Sequence, residues 1–250
     1  MNFKAAHKYQ LNEYKKSVMI YYLVVFLVII FFGVAISIGE EGNFQGTGGL
    51  EMATVIFLFV VGLNSFKETF LMLIQNGISR KTMFLSRIGA SGILCTVMMV
   101  IDRIIINGIG KLAGENPRFQ LVGFYEQAYF ERSGELGFLQ RNMEGILYTL
   151  CFYLASVAVG YFITSAYYRM NKAFKIAVSV GVPVSFFFIM PIVDLAITEG
   201  RISRFIGYVV GTIFGMDKEH PYNFIVACLI STIVFYGLSW LLIRKAVDKK

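Results

Sequence analysis

Long apolar runs alternate with short polar segments along most of this chain, and each run is about twenty residues long. A helix of about 20 apolar residues spans the roughly 30 Å hydrocarbon core of a bilayer. The pattern therefore predicts an all-α, polytopic membrane protein in which residues 1–250 form a single transmembrane domain. Six spans are predicted, over residues 17–39, 52–74, 83–109, 144–167, 176–197 and 222–243.

Residues 1–16 precede the first span and have a different pattern. Apolar and aromatic side chains recur at helical spacing, and lysines occupy much of the remainder, at Lys4, Lys8, Lys15 and Lys16. This pattern is typical of a basic amphipathic helix that lies in the membrane interface. A disordered terminus is the alternative interpretation.

Residues 199–221 also depart from the pattern of a plain span. Charged ends bracket an apolar stretch, residues 205–216, which is only about a dozen residues long and too short to cross a bilayer. A re-entrant or interfacial segment between spans 5 and 6 is one interpretation. A short surface helix packed on the bundle is the other.

The second apolar run is interrupted by Lys67 and Glu68. A charge at mid-bilayer costs several kcal/mol, so this pair predicts the point where the helix leaves the hydrocarbon. Residues 69–76 then form an amphipathic turn or two on the cytoplasmic side. Gly77 is predicted to end that helix in a left-handed cap, and Ser79 to cap the start of the next one.

Lysine and arginine are concentrated on one side of the predicted spans. They occur at both termini, in the connection between spans 2 and 3 and in that between spans 4 and 5, whereas the connection between spans 1 and 2 has none. By the positive-inside rule both termini are predicted to be cytoplasmic. The net charge of +7 follows from this bias, and we predict no nucleic-acid partner.

The sequence lacks the motifs of the common catalytic sites. It has neither a phosphate-binding G-x-x-x-x-G-K-[ST] loop nor an H-E-x-x-H zinc motif, and its three cysteines lie inside predicted spans without metal-ligand spacing. Ser91 lies in a G-x-S-G run that resembles rhomboid-type intramembrane serine proteases, but neither His7 nor His220 is predicted to lie near it. We therefore predict no catalytic residue, metal or cofactor in this chain.

Three charged residues are predicted inside the membrane. Asp102 and Arg103 lie near the outer end of span 3, and Asp194 lies near the outer end of span 5, at a similar depth. Ionisable residues within spans often mark a transport pathway, so the three are candidates for an outer gate. The alternative is an ion pair or snorkelling side chains at the interface.

Topology and one short motif together resemble a known family. Six spans with cytoplasmic termini, the interfacial helix, the re-entrant candidate and the run NGISRKTMF at residues 76–84 resemble the permease subunit of ABC-2-type (type V) exporters. Small bacterial permeases of this class often carry a Gly-x-Ser-Arg-like turn just before span 3. Among subfamilies of similar size, phenol-soluble modulin exporter permeases are favoured over lantibiotic-immunity permeases.

The resemblance implies that the segment before the turn is a coupling helix, which docks in a groove of an ATPase. The predicted coupling residues are of three kinds. Phe70, Leu73 and Ile74 are apolar anchors at the centre of the contact, followed by Asn76 at the end of the helix. Gly77 and Ser79 form the hinge and the cap, and Arg80 and Lys81 are the charged residues at the edge of the contact. A cytoplasmic loop whose cations only fix topology is the alternative.

Further expectations follow from the same resemblance. The ATPase, with its ATP and Mg²⁺, is expected on separate subunits, and the permease is expected to pair with itself or a sibling in the bacterial cytoplasmic membrane. It is expected to move an amphipathic peptide, lipid or drug outward. The alternative function is a secondary transporter or channel that works without an ATPase.

Overall fold

The computed structural model describes residues 3–38, 49–113, 121–215 and 220–244. Within these ranges the chain is helical and contains no β-strand, which confirms the predicted all-α class. The α-helices, numbered in chain order, are α1 Phe3–Ile38, α2 Gly49–Asn64, α3 Lys67–Gln75, α4 Arg80–Ala113, α5 Phe124–Ala128, α6 Phe130–Glu135, α7 Phe138–Arg169, α8 Lys172–Val184, α9 Met190–Ala196, α10 Arg201–Phe214 and α11 Pro221–Arg244.

Among the described residues, five helical segments are individually long and apolar enough to cross a membrane. They are Phe3–Val34, Arg80–Ile109, Phe138–Arg169, Lys172–Ala196 and Pro221–Arg244. A sixth span exists only if α2 and α3, which are bent by 40° at their junction, cross together. The chain is therefore a multi-pass membrane protein with about five spanning helices.

The first helix differs from the prediction. Residues 3–38 form one uninterrupted helix, so the predicted interfacial helix is not a separate element but the first turns of α1. Ala6, Gln10 and Tyr14 recur at four-residue spacing and are buried, and Gln10 bonds to Ser86 and Met83 on α4. The face that was predicted to contact lipid therefore packs against protein, and no glycine or proline interrupts the helix between its two parts.

The centre of the bundle is α7, which packs against α2 on one side and α11 on another, while α1 packs along α4. Helices α2 and α7 approach closely at Gly62 and Gly160, where the glycine Cα atoms of each helix lie against the backbone of the other. The Ser156 hydroxyl donates to the Val55 carbonyl across the same interface, at 2.8 Å. Small residues at such crossings let membrane helices pack backbone to backbone.

Helices α8 and α9 are joined by a π-helical turn, Ser185–Ile189, which lies between Pro183 and Pro191. Proline removes a backbone donor, so the regular hydrogen-bond ladder cannot continue through this stretch. Most side chains of this long segment are exposed, including Phe186, Phe187 and Phe188, which is the expected distribution for a surface that faces lipid. The segment joins the bundle partly through α10, whose Phe214 stacks on Phe224 of α11 with ring centroids 4.7 Å apart.

Candidate functional site

The turn between α3 and α4 has the geometry that the sequence predicts. Gly77 has a φ of 72°, and its N–H donates to the Ile74 carbonyl at 2.9 Å. The N–H of Ile78 donates to the Leu73 carbonyl at 3.0 Å, which completes a Schellman motif. Ser79 Oγ accepts from the N–H of Thr82 at 3.2 Å. Both predicted caps are therefore confirmed, and α3 is a short helix with a defined end.

Replacing Gly77 by alanine should weaken this turn. A Cβ at Gly77 meets no atom within 4 Å, so the penalty is the left-handed backbone alone, about 1 kcal/mol. Gly77→Asn should cost less, because asparagine tolerates this conformation. Unfolding of purified protein in mixed micelles measures the difference, with Gly92→Ala as control, since Gly92 lies within α4 and also has open space around it. Equal stability of the alanine and asparagine variants would contradict the assignment.

Two of the predicted docking anchors are core residues in the structure. Phe70 is only 1% exposed and Leu73 only 3%, and Phe70 stacks on Phe66 with ring centroids 4.9 Å apart. Ile74 is half-buried and packs against the same cluster. The apolar stripe of α3 therefore faces the chain's own α4 and α7, and its assignment as a contact for a partner is corrected. Periodicity identifies an apolar face but not the surface that covers it.

The exposed face of α3 carries other side chains. Lys67, Glu68, Met72, Gln75 and Asn76 are exposed there. They form what we call the open face of α3. A partner at this end of the bundle would meet polar groups and one thioether.

The two cations after the turn differ in role. Arg80 is partly exposed, and its Nη1 donates to the Arg244 carbonyl at 2.8 Å, so it caps the last described residue of α11. Lys81 is exposed. Of the two, Lys81 is the side chain directed away from the bundle, while Arg80 has a structural partner of its own.

A buried polar cluster links the start of α1 to α3 and α4, and we call it the Arg87 cluster. Arg87 Nη2 lies 3.3 Å from Glu13 Oε2, and Arg87 Nη1 donates to the Tyr14 hydroxyl at 2.5 Å. The Thr69 hydroxyl of α3 contacts both Glu13 oxygens, at 3.1 and 3.0 Å. Arg87 is 2% exposed, whereas its partner Glu13 is 30% exposed, so only the guanidinium is desolvated. No partner for Arg87 was predicted from the sequence; the lone acid among the lysines of residues 1–16, Glu13, is the clue that it has one.

A second buried cluster lies near the other end of α4, and we call it the Arg103 cluster. Arg103 Nη1 donates to Glu126 Oε1 at 2.6 Å, while Nη2 lies 3.4 Å from Glu51 Oε1 and donates to the Thr149 hydroxyl at 3.1 Å. Thr149 in turn donates to Glu51 Oε1 at 2.8 Å, and the N–H of Phe124 donates to Glu51 Oε2. Arg103 and Glu51 are 5% and 2% exposed. One guanidinium thus joins α2, α4, α5 and α7.

The predicted group of Asp102, Arg103 and Asp194 is not one site. Asp102 bonds to Tyr22 and Tyr153 and not to Arg103. Asp194 accepts the backbone N–H groups of α10 at Ile202 and Ser203, at 2.9 and 3.0 Å, and so fixes the start of α10 relative to α9. An ion pair at Arg103 is present, but its acids are Glu51 and Glu126, which lie far away in sequence and were not predicted.

A third cluster holds the helices α5 and α6 against the bundle. Glu144 Oε1 accepts from Arg132 Nη2 at 2.8 Å and from the Tyr222 hydroxyl at 2.9 Å, and its Oε2 accepts from the Tyr125 hydroxyl at 2.6 Å. Burial raises the pKa of the Tyr125 hydroxyl, and the bond to Glu144 raises it further, so this hydroxyl remains a donor. Helices α5 and α6 are thereby anchored to α7 and α11.

Other candidate chemistry has ordinary partners. The Ser91 hydroxyl lies 2.8 Å from the Tyr236 hydroxyl, and His7 Nδ1 lies 3.2 Å from the Ser86 carbonyl. Among the described residues no group of three or more histidine, cysteine or acidic side chains is arranged to hold a metal ion. A crevice of about 450 Å³ beside α4 is lined by Met99, Arg103 and Asn107, among other residues.

Comparison with protein-family models, with curated proteins and with solved structures finds no match to this chain. The resemblance to exporter permeases therefore stays a prediction. Functional assignment accordingly rests on the geometry of the α3–α4 turn and of the buried clusters.

Proposed function

We propose that this chain is the membrane-spanning permease subunit of an ATP-driven ABC exporter whose ATPase is a separate chain. The observation that carries the proposal is α3, a nine-residue helix bent by 40° from α2 and followed by a glycine turn and an exposed lysine. A short helix with an exposed polar face, placed between two apolar helices, is suited to receive force from a soluble partner. The sequence has no phosphate-binding loop of its own, so ATP and Mg²⁺ are assigned to the partner.

The contacts of α3 support a transmission role. Its apolar side is fixed to α4 and α7, and Thr69 is bonded to Glu13 of α1, which is paired with Arg87 of α4. A displacement of α3 by a partner therefore moves α1 and α4 with it, because packed elements shift as units. We place the docking surface on the open face of α3 together with Lys81. These exposed side chains replace Phe70 and Leu73 as the proposed contacts for the ATPase.

The remaining parts of the proposal concern topology and cargo. Both termini are placed in the cytoplasm of a bacterial cell on the basis of the distribution of lysine and arginine. The bent pair of α2 and α3 makes the sixth crossing, in which α2 passes through the hydrocarbon and α3 lies at its cytoplasmic end. The permease pairs with itself or with a sibling permease. Helix α10 lies in the membrane–water interface or re-enters the membrane. The cargo is an amphipathic peptide, lipid or drug.

Charge reversal at the turn tests the proposal. The ATPase to use is one that carries a G-x-x-x-x-G-K-[ST] motif, is encoded beside this chain and is co-expressed with it. We expect Arg80→Glu with Lys81→Glu to abolish detectable association, with affinity lowered at least tenfold, about 1.4 kcal/mol or more. Membrane insertion should be unchanged.

A single variant separates docking from folding. Because Arg80 also bonds to the Arg244 carbonyl, Lys81→Glu alone should weaken association without affecting the bundle. Lys172→Glu, an exposed cation at the start of α8, is the matched control and should bind as the wild type does. Co-purification and ATP hydrolysis by the complex are the measurements. If the double variant bound the ATPase with wild-type affinity, Arg80 and Lys81 would not be part of the docking surface. If no ATPase associated with the wild-type chain, the proposed function would be wrong.

A further inference from the structure

Asp102 is a carboxyl group buried in a spanning helix without a cation of its own. Its side chain is fully buried. The neighbouring Arg103 directs its two Nη atoms to Glu51, Glu126 and Thr149. The region therefore holds three carboxyl groups and one guanidinium. An unpaired carboxylate in a low-dielectric site is costly, and such groups are neutralised by protonation.

The hydrogen-bond geometry around Asp102 indicates where a proton lies. The Tyr22 hydroxyl oxygen is 2.9 Å from Asp102 Oδ1 and 3.1 Å from the Met98 carbonyl oxygen. A tyrosine hydroxyl has one hydrogen and cannot donate it fully to both acceptors. A neutral Asp102 satisfies both contacts, because its O–H donates to Tyr22 and Tyr22 donates to Met98. An ionised Asp102 and the Met98 carbonyl would instead have to share the one hydrogen of Tyr22.

The remaining neighbours are consistent with this arrangement. The Tyr153 hydroxyl donates to Asp102 Oδ2 at 2.5 Å, so the second oxygen has a donor of its own. The Thr54 hydroxyl also lies within hydrogen-bond reach of the Asp102 side chain. It is 3.1 Å from the Leu50 carbonyl, so it can donate there while it accepts from Tyr21 at 2.7 Å. The ionisable side chains of this region are, by element, Tyr21 and Tyr22 on α1, Glu51 on α2, Arg103 on α4, Glu126 on α5 and Tyr153 on α7.

We propose that Asp102 is a proton-binding site between Tyr22 and Tyr153, which retains its proton to a higher pH than an exposed aspartate does. The site depends on three helices, since the acid lies on α4 and its two tyrosines lie on α1 and α7. This property goes beyond the exporter proposal and does not depend on an ATPase.

Infrared spectroscopy of the full chain in lipid nanodiscs tests the site. A protonated carboxylic acid has a C=O stretching band that a carboxylate lacks, and exposed acids are ionised at neutral pH. At mildly acidic pH we expect such a band in the wild type and a loss equal to one carboxyl group in Asp102→Asn. Asp194→Asn is the matched control and should leave the band intact, because Asp194 is surrounded by donors only.

Stability provides a second measurement. A folded state that holds a proton which the unfolded chain releases loses stability as the pH rises. The melting temperature of the wild type should therefore fall between mildly acidic and mildly alkaline pH by more than that of Asp102→Asn. If Asp102→Asn fails to fold, Tyr22→Phe replaces it, and the band should shift because its hydrogen-bond partner is gone. A band unchanged by these variants, or absent from the wild type, would overturn the proposal.

Discussion

Replacing Arg103 by methionine is expected to lower the free energy of unfolding by about 3–5 kcal/mol, the usual cost of breaking a buried ion pair by removing one partner. Glu51 and Glu126 both lose their cation, and Glu51 is 2% exposed. The site is also tightly packed, since a Cβ on Gly145 would overlap the guanidinium. Reversible unfolding in mixed detergent micelles, followed by circular dichroism, measures the change.

Two further variants distinguish a charge effect from a packing effect. Arg201→Met removes an exposed arginine at the start of α10 and should change stability by less than about 0.5 kcal/mol. Combining Arg103→Met with Glu51→Gln and Glu126→Gln leaves no unpaired charge, so it should recover more than half of the loss. If Arg103→Met and Arg201→Met were equally stable, the Arg103 cluster would not stabilise the fold.

Features whose causes are local could be predicted from the sequence. The end of α3 and the start of α4 depend on Gly77 and Ser79 and on bonds that span three to five residues. The interruption at Lys67 likewise follows from the cost of a charge in hydrocarbon. The boundaries of α11 and the end of α7 agree with the apolar runs, because one helix satisfies its own backbone inside a membrane, whereas α7 begins at Phe138, before its predicted start at residue 144.

Features that depend on distant partners could not be predicted. The burial of Phe70 and Leu73 is decided by α4 and α7, and the same apolar stripe could equally have been left open for a partner. The acids that pair with Arg103 come from α2 and α5, with no spacing that links them. Sequence showed only that charges lie near the ends of apolar runs. It did not show which of them meet.

Polar groups of α4 hold α1 at two points. Arg87 and Arg103 are separated by roughly 24 Å along the helix at 1.5 Å per residue, close to the thickness of the hydrocarbon core. Tyr14 of α1 bonds to Arg87, and Tyr22 bonds to Asp102 beside Arg103. Helix α1 is therefore held to α4 by polar contacts at Tyr14 and Tyr22, which are about 12 Å apart along α1.

The second large effect is expected at the crossing of α2 and α7. A Cβ added to Gly160 would overlap the Phe59 carbonyl oxygen, and one added to Gly62 would lie 2.6 Å from the Val157 carbonyl oxygen. Backbone atoms cannot rotate away as a flexible side chain can, so the helices must separate. We expect Gly160→Ala to cost about 1–3 kcal/mol, the range for overpacking a well-packed interface.

The sign of this change identifies its cause. In an open helical position the same substitution stabilises by up to about 1 kcal/mol, because alanine has the higher helix propensity. Gly237→Ala on α11 is the matched control, since a Cβ there meets no atom within 4 Å. We expect opposite signs for the two variants in the same unfolding assay. Stabilisation by both would mean that α2 and α7 do not approach at Gly160, and α7 would lose its place as the centre of the bundle.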